Sequence, residues 1–333
     1  MAIFTSTAAE NTRTRQTGGA LRNVNDIREM INTFYDEANE EHTGIIDTME
    51  LGQLFRTGSQ TKDVEVKRTK VRGNGTVPMN EDGDDFDFIN FGLGWQYTKA
   101  VYQYRLAVKH TRHLSEVEGA SGMATIQQEG QELFDASERT MRFMYADFWN
   151  RAVDPASGAQ CLSPDGMYLI DSGRPNPVEG VPNWSNLETT GDLGDDLFFN
   201  AEINAANQIA HNGDRLRTKI RKIRIPRSYS KAMWQLDKSM KDPNSAMNTA
   251  NWAAGKFPYE VHDEFDSNII LYELDTPASN NNPCEITWAV RPSAAPLTFE
   301  DPDIMGHRIR FRVGLNIDGD PRKMWRGGNL NAL

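Results

Sequence analysis

The feature that most constrains this chain is residues 124–153, which contain no proline and a single glycine, Gly130. Within them Leu133, Phe134, Met141, Met144, Phe148 and Ala152 recur near helical spacing, so the segment predicts one continuous amphipathic helix. At the rise of an α-helix it would span on the order of 40 Å, unusually long for a globular domain.

The elements on either side follow from the same patterning. Residues 1–24 are rich in Thr, Ala, Asn, Gly and Arg, lack an apolar period and read as a mildly basic arm. Asp26 and Glu29 suggest a capping box for a short amphipathic helix marked by Ile27, Met30, Ile31, Phe34 and Tyr35. Between residues 61 and 109 the pattern becomes extended. A charged run at 63–72 and a second run at 97–108, with Tyr102, Tyr104, Leu106 and Val108 on one face, flank an acidic middle at 80–85. The runs predict a long hairpin whose first arm is too polar to bury, so that it projects and needs a partner surface.

Phe199, Ile203, Ala206 and Ala210 predict a further helix, ended by Gly213 in a left-handed conformation. A strand at 220–225, closed by Pro226, leads to a helix capped by Ser228 with Tyr229, Ala232, Met233, Leu236 and Met240 on one face. The last third predicts strands at 267–274, 284–291 and 307–316. In the final one Ile309, Phe311, Val313 and Leu315 alternate with Arg308, Arg310 and Arg312, giving a half-buried strand with a basic outer face. Trp95, Trp149, Trp234, Trp252 and Trp288 read as core residues, whereas Trp325, in a terminal turn, reads as an interface anchor. The fold class is α+β, with an arm and a hairpin extending from it.

Composition narrows the function. A net charge of -11 opposes the attraction by which a dedicated DNA reader neutralises phosphates. Cys161 and Cys284 stand far apart, outside any CxxC pair, and read as reduced thiols. Neither an export signal nor a membrane span is expected. Gly73 and Gly75 lack the third glycine of a dinucleotide loop, Gly255-Lys256 lacks the glycine of a phosphate-binding loop, and no cofactor is expected. His110 and His113 have no third ligand at metal-binding spacing, and the acidic run 81–87 is out of register for a calcium loop. The densest basic stretch holds Arg215, Arg217, Lys219, Arg221, Lys222 and Arg224. It reads as a patch facing nucleic acid, as a contact with an acidic neighbouring subunit, or as a strand with solvated charges.

Certain local patterns, taken in order, carry a resemblance. Asp165-Gly166, Leu169, Gly180 and residues 183–187 are followed by 223–230, then by the Asn-rich 248–252. The chain ends on 299–303, 307–314 and 318–328. This succession resembles the Hong Kong 97-like major capsid proteins of tailed bacteriophages over roughly residues 60–328. One position departs: Arg174-Pro175 stands where a histidine-proline pair is often found.

The resemblance implies an N-terminal arm and short helix (1–57), an extended loop hairpin (58–110), a peripheral domain with a spine helix (111–155), an axial domain (156–282), and strands returning to the peripheral domain (283–333). It implies self-assembly through pentamers and hexamers into an icosahedral shell around double-stranded DNA, touched non-specifically, in a virion assembled in the host cytoplasm. A separate scaffolding protein, a portal and a possible cement protein are the implied partners. Lys67, Arg68, Lys70 and Arg72 of the hairpin, Arg308, Arg310, Arg312 and Trp325 are the candidate inter-subunit contacts. An encapsulin-like compartment is the rival with the same fold; an enzyme or a nucleic-acid-binding module fits the residues less well.

Overall fold

The computed structural model describes residues 24–58, 65–71, 93–111, 120–153, 162–176, 180, 182–210, 213–241, 250–265, 268–297 and 304–331. The N-terminal arm, the acidic middle of the hairpin, His113, Cys161 and residues 299–303 lie outside them. Four helices are described: α1 (Val24–Thr48), α2 (Ala120–Asn150), α3 (Asp195–Asn207) and α4 (Ser230–Lys238). Ten strands accompany them: β1 (Arg56–Thr57), β2 (Glu65–Val71), β3 (Leu93–Ala100), β4 (Tyr102–Thr111), β5 (Lys222–Pro226), β6 (Tyr259–His262), β7 (Ile269–Glu273), β8 (Cys284–Leu297), β9 (Ile304–Ile317) and β10 (Trp325–Asn329). They form sheets of order β1-β8-β9-β4 and β10-β7-β5-β6, and the separate pair β2-β3. Among the described residues no helix is long and apolar enough to cross a membrane.

The long helix is present as α2, with 31 residues, or about 46 Å at helical rise. The preceding helix is longer than its apolar pattern suggests: α1 has 25 residues and already includes Asp26, so Asp26 is not its cap. Tyr35, Ala38, His42 and Ile46 form its buried stripe. The extended run at 97–108 divides in two. Residues up to Ala100 pair with β2, whereas β4 leaves the hairpin and pairs along its whole length with β9. The crossing is made at Gly314, where an added Cβ would stand 2.0 Å from the Ala100 carbonyl oxygen; the Ala100 N–H donates to Asn316 Oδ1 at 3.1 Å. Only glycine permits that approach.

Two compact units are distinguished by their internal contacts. The first comprises Met1–Gly52, Val101–Phe143 and Trp288–Val313. Its core joins Tyr35 and Ala38 of α1 to Ile126, Leu133 and Phe134 of α2, Ala294 of β8 and Ile309 of β9. Gly130 lets the helices meet: a Cβ there would stand 2.8 Å from Phe34 Cε1 and from the Tyr35 hydroxyl. Asn39 locks α1 to β8, donating to the Ala294 carbonyl at 3.2 Å and accepting from the Ala294 N–H at 2.7 Å. His42 lies 2.9 Å from Glu138 Oε1 and 2.5 Å from Ser137 Oγ. Burial holds its pKa below the ordinary histidine value, although Glu138 pulls the other way.

The second unit comprises Gln53–Ala100, Met144–Thr287 and Gly314–Leu333. Phe198, Ala201, Ile223, Ile225, Tyr229, Met233, Leu236 and Tyr272 fill one core. The buried face of α3 is therefore Phe198, Ala201 and Ala205, while Phe199 and Ile203 are exposed, the reverse of the predicted face. The helix ends at Asn207; Gly213, left-handed as predicted at φ 88°, belongs to the turn beyond it. Before α4 a 3-10 turn spans Arg227–Tyr229, and Tyr229 occupies the cap without a side-chain bond, so Ser228 is not the cap. Met240 lies past the end of α4 and Trp234 faces away from the core, so both are exposed against expectation.

Buried arginines tie the loops of this unit together, one through near neighbours in the chain and one through distant ones. Arg174, fully buried, donates through Nε and Nη2 to both oxygens of Asp165 at 3.0 and 2.9 Å. Its Nη1 donates to the Tyr168 and Leu169 carbonyls, and the guanidinium centre lies 5.1 Å from the centroid of the Trp184 ring. Arg174 is thus the organiser of its loop. Arg326 similarly meets Glu188 at 2.6 Å and Gln208 at 2.7 Å.

Candidate assembly interface

The paired strands β4 and β9 present two chemically different faces. Residues directly opposite in an antiparallel ladder share a face. Tyr104 opposes Phe311 and Leu106 opposes Ile309, so one face is apolar, and the Tyr104 and Phe311 rings stack at 5.0 Å. Ile309, Phe311 and Val313 are buried, as their alternation predicts, and Leu315 is half-buried. The other face carries Arg310 opposite Arg105, Arg312 opposite Gln103 and Arg308 opposite Ala107. Arg310 and Arg105 are exposed, while Arg308 and Arg312 are half-buried.

Like charges held directly opposite oppose the ladder, by an amount on the order of a few tenths of a kcal/mol in solvent. Among the described residues no carboxylate forms an ion pair with Arg105, Arg308, Arg310 or Arg312. The Nε atoms of Arg308 and Arg312 are shielded from solvent without a hydrogen-bond partner. The face is therefore a cationic surface without a counter-charge among the described residues. Beside it, β4 is the sheet edge and exposes Tyr102 and Leu106. The sequence reading of this face does not include Arg105; its signal is the alternation of Gln103, Arg105, Ala107 and Lys109 with Tyr104, Leu106 and Val108, once β4 is known to pair with β9.

In the hairpin, Lys67 opposes Thr98 and Arg68 opposes Tyr97, while Lys70 stands at the register shift between Thr69 and Val71. Arg72 lies outside the described residues. The β2-β3 pair is bonded to no other described strand.

Trp325 is not a surface anchor. It is fully buried on β10, its Nε1 donates to Asn282 Oδ1 at 3.1 Å, and its ring lies 4.9 Å from that of Trp149. The reason is β10 itself: the terminal segment pairs with β7 instead of forming a loose turn. Asn282 in turn donates to the Leu54 and Pro277 carbonyls.

The basic stretch divides into exposed and internal cations. Arg215, Arg217 and Lys219 are exposed, and none pairs with a described carboxylate. Arg224, only 4% exposed, is committed inside the subunit: it donates to Glu273 at 2.6 Å, bonds Glu260, and lies 3.0 Å from His262 Nε2. Arg221 joins Glu273 at 3.1 Å and Lys222 joins Glu260 at 2.5 Å. Burial, with Arg224 adding to it, pushes the His262 pKa down to about 4. Lys222 and Arg224 thus leave the candidate nucleic-acid patch, because their charge is already matched.

No protein-family model matches the chain, and no curated protein does. Solved structures do. A chain from Mycobacterium phage Patience aligns with 92% of this chain and 88% of its own length, at TM-score 0.54 and 12% identity. A chain from Microbacterium phage Oxtober96 covers 85% and 91%, at TM-score 0.47 and 10% identity, and one from the capsid of an empty GTA particle covers 85% and 91%, at TM-score 0.47 and 13% identity. The likeness to the Patience chain establishes a shared fold. That fold is of the α+β class read from the order of the sequence elements.

Proposed function

We propose that this chain is the major capsid protein of a tailed phage, assembling through pentamers and hexamers into the icosahedral shell around double-stranded DNA. The observation that carries the reading is the near full-length fold shared with a phage chain, 92% of this one. Two features give it a physical basis. The hairpin β2-β3 is paired only with itself among the described strands, and the arginine face of β4 and β9 has no counter-charge among the described residues. Both need a second surface, and a thin shell supplies one by laying strands and hairpins across neighbours, which adds buried area without thickness.

Lys67, Arg68, Lys70 and Arg72 of the hairpin and Arg308, Arg310 and Arg312 of β9, joined by Arg105, are the proposed inter-subunit contacts. The role is structural, the location is the virion, and assembly takes place in the host cytoplasm with a separate scaffold, a portal and, in some shells, a cement protein. Contact with enclosed DNA is non-specific, through exposed cations alone. An encapsulin-like compartment is the second reading, since it shares the fold and encloses protein. Nuclease protection distinguishes them: particles purified from infected cells should shield genome-length DNA, and particles that hold only protein cargo would favour the compartment.

A further inference from the structure

Helix α3 has apolar residues on two sides, and the core uses only one. Phe198, Ala201 and Ala205 point inward, whereas Phe199 and Ile203 are 44% and 41% exposed, with Ala206 continuing their stripe. Trp252, half-buried, meets Phe199 edge-on at 5.1 Å and carries the Lys256 ammonium over its ring at 3.1 Å, so the apolar stripe ends there. Large apolar side chains placed together on a surface are the usual mark of a contact.

The ends of the stripe carry opposite charge. Asp195 and Asp196 occupy the first turn of α3, and neither forms an ion pair with a described residue. Beyond the helix the chain doubles back: Ile209 bridges Arg215, the Leu216 N–H donates to the Gln208 carbonyl at 2.7 Å, and Thr218 Oγ1 donates to the Ala205 carbonyl at 2.7 Å. The return brings Arg215, Arg217 and Lys219 alongside the C-terminal half of α3, all exposed. Arg217 holds φ at 53°, a left-handed conformation uncommon outside glycine and asparagine. Over the roughly 20 Å of this 13-residue helix the surface therefore runs from acidic through apolar to basic.

We propose that this surface is a contact between copies of the chain, with Asp195 and Asp196 of one copy facing the 215–219 tract of a second and the Phe199 and Ile203 stripes covered between them. The occupant is a second copy because the surface carries its own complement: each pole matches the pole at the other end. The inference rests on the shell reading for its place in an assembly, but its test stands separately.

The full chain is prepared as Asp196→Cys and as Arg217→Cys, and the two preparations are mixed under mild oxidation. The contact predicts a covalent dimer in the mixture that neither variant gives alone. Charge reversal supplies a second arm. Asp195→Lys with Asp196→Lys should weaken association at least tenfold, as should Arg215→Glu with Arg217→Glu and Lys219→Glu, and a chain carrying both sets should recover it, with unchanged circular dichroism throughout. Absence of the mixed dimer and of charge rescue, in a wild-type protein that does form particles, overturns the contact and leaves the shell reading standing. A wild-type chain that never associates overturns both. Loss of DNA retention in the Arg215, Arg217 and Lys219 variant, with association unchanged, assigns the tract to nucleic acid and also overturns the proposal.

Discussion

Replacing Arg310 by glutamate should move subunit stability and assembly in opposite directions. In register, Arg310 stands directly opposite Arg105, so Arg310→Glu turns a like-charge pair into an attractive one on an exposed ladder. Cross-strand charge pairs contribute about 0.2–1 kcal/mol, so the isolated subunit should gain a stability at the lower end of that range. Assembly should suffer more. If the arginine face meets carboxylates of a neighbour, the new carboxylate opposes them, and like-charge juxtaposition in a contact costs on the order of several kcal/mol, repeated at every copy. Urea unfolding of the unassembled subunit reports the first effect; particle yield against protein and salt concentration, followed by sedimentation, reports the second. Phe311→Asp is the control on the opposite face. Phe311 is 3% exposed and stacked on Tyr104, so an aspartate there should lose the roughly 3–5 kcal/mol of a Phe truncation and several more for the buried charge, enough to abolish folding. A folded Arg310→Glu protein that assembles with wild-type yield and salt tolerance refutes the interface argument.

Other substitutions test the interior. Arg174→Leu strands the buried Asp165 carboxylate and should lose about 3–5 kcal/mol, part of which returns when Asp165→Asn is added; equal urea midpoints for the single and double variants would contradict the pairing. Gly130→Ala would gain about 1 kcal/mol in an open helix, but here the Cβ meets Phe34 and Tyr35 at 2.8 Å, so the thermal midpoint should fall instead of rise. His262 binds a proton more weakly folded than unfolded, so its contribution is intact above pH 6.5 and drains away as the pH falls toward about 4, by roughly 3 kcal/mol at most. His262→Gln should flatten that part of the stability profile, and a slope identical to wild type would show that other groups set it.

What the sequence made legible, and what it hid, follows the range of the interactions. Helix α2 and the middle of strand β9 are written in local periodicity, because their buried residues, Ile126, Leu133, Phe134, Met141 and Phe148 on α2 and Ile309, Phe311 and Val313 on β9, recur at the spacing of each element. The face of α3 is ambiguous locally: Phe199 and Ile203 satisfy the same spacing as Phe198, Ala201 and Ala205, and only the surrounding core decides between them. The break at Ala100 is invisible in the alternation of 97–108, since it depends on Gly314, more than two hundred residues downstream. Trp325 is hidden for the same reason, its partners being Asn282 and Trp149. The basic face was legible on β9 but incomplete, because its β4 half has meaning only after the strands pair. Which arginines are surface cations could not be read from their run: Arg217 and Arg224 belong to one basic stretch yet have opposite fates, fixed by Glu273 and Glu260 on other strands.

Whether copies of this chain close into a shell is decided by cryo-electron microscopy of the full-length protein purified from infected cells. Closed icosahedral particles are expected, with pentamers and hexamers built from this chain and the β2-β3 hairpin and the arginine face of β9 covered by neighbouring copies. Particles lacking this chain, or a protein that remains monomeric in the cell extract and at every concentration, salt and scaffold condition afterwards, would contradict the shell reading.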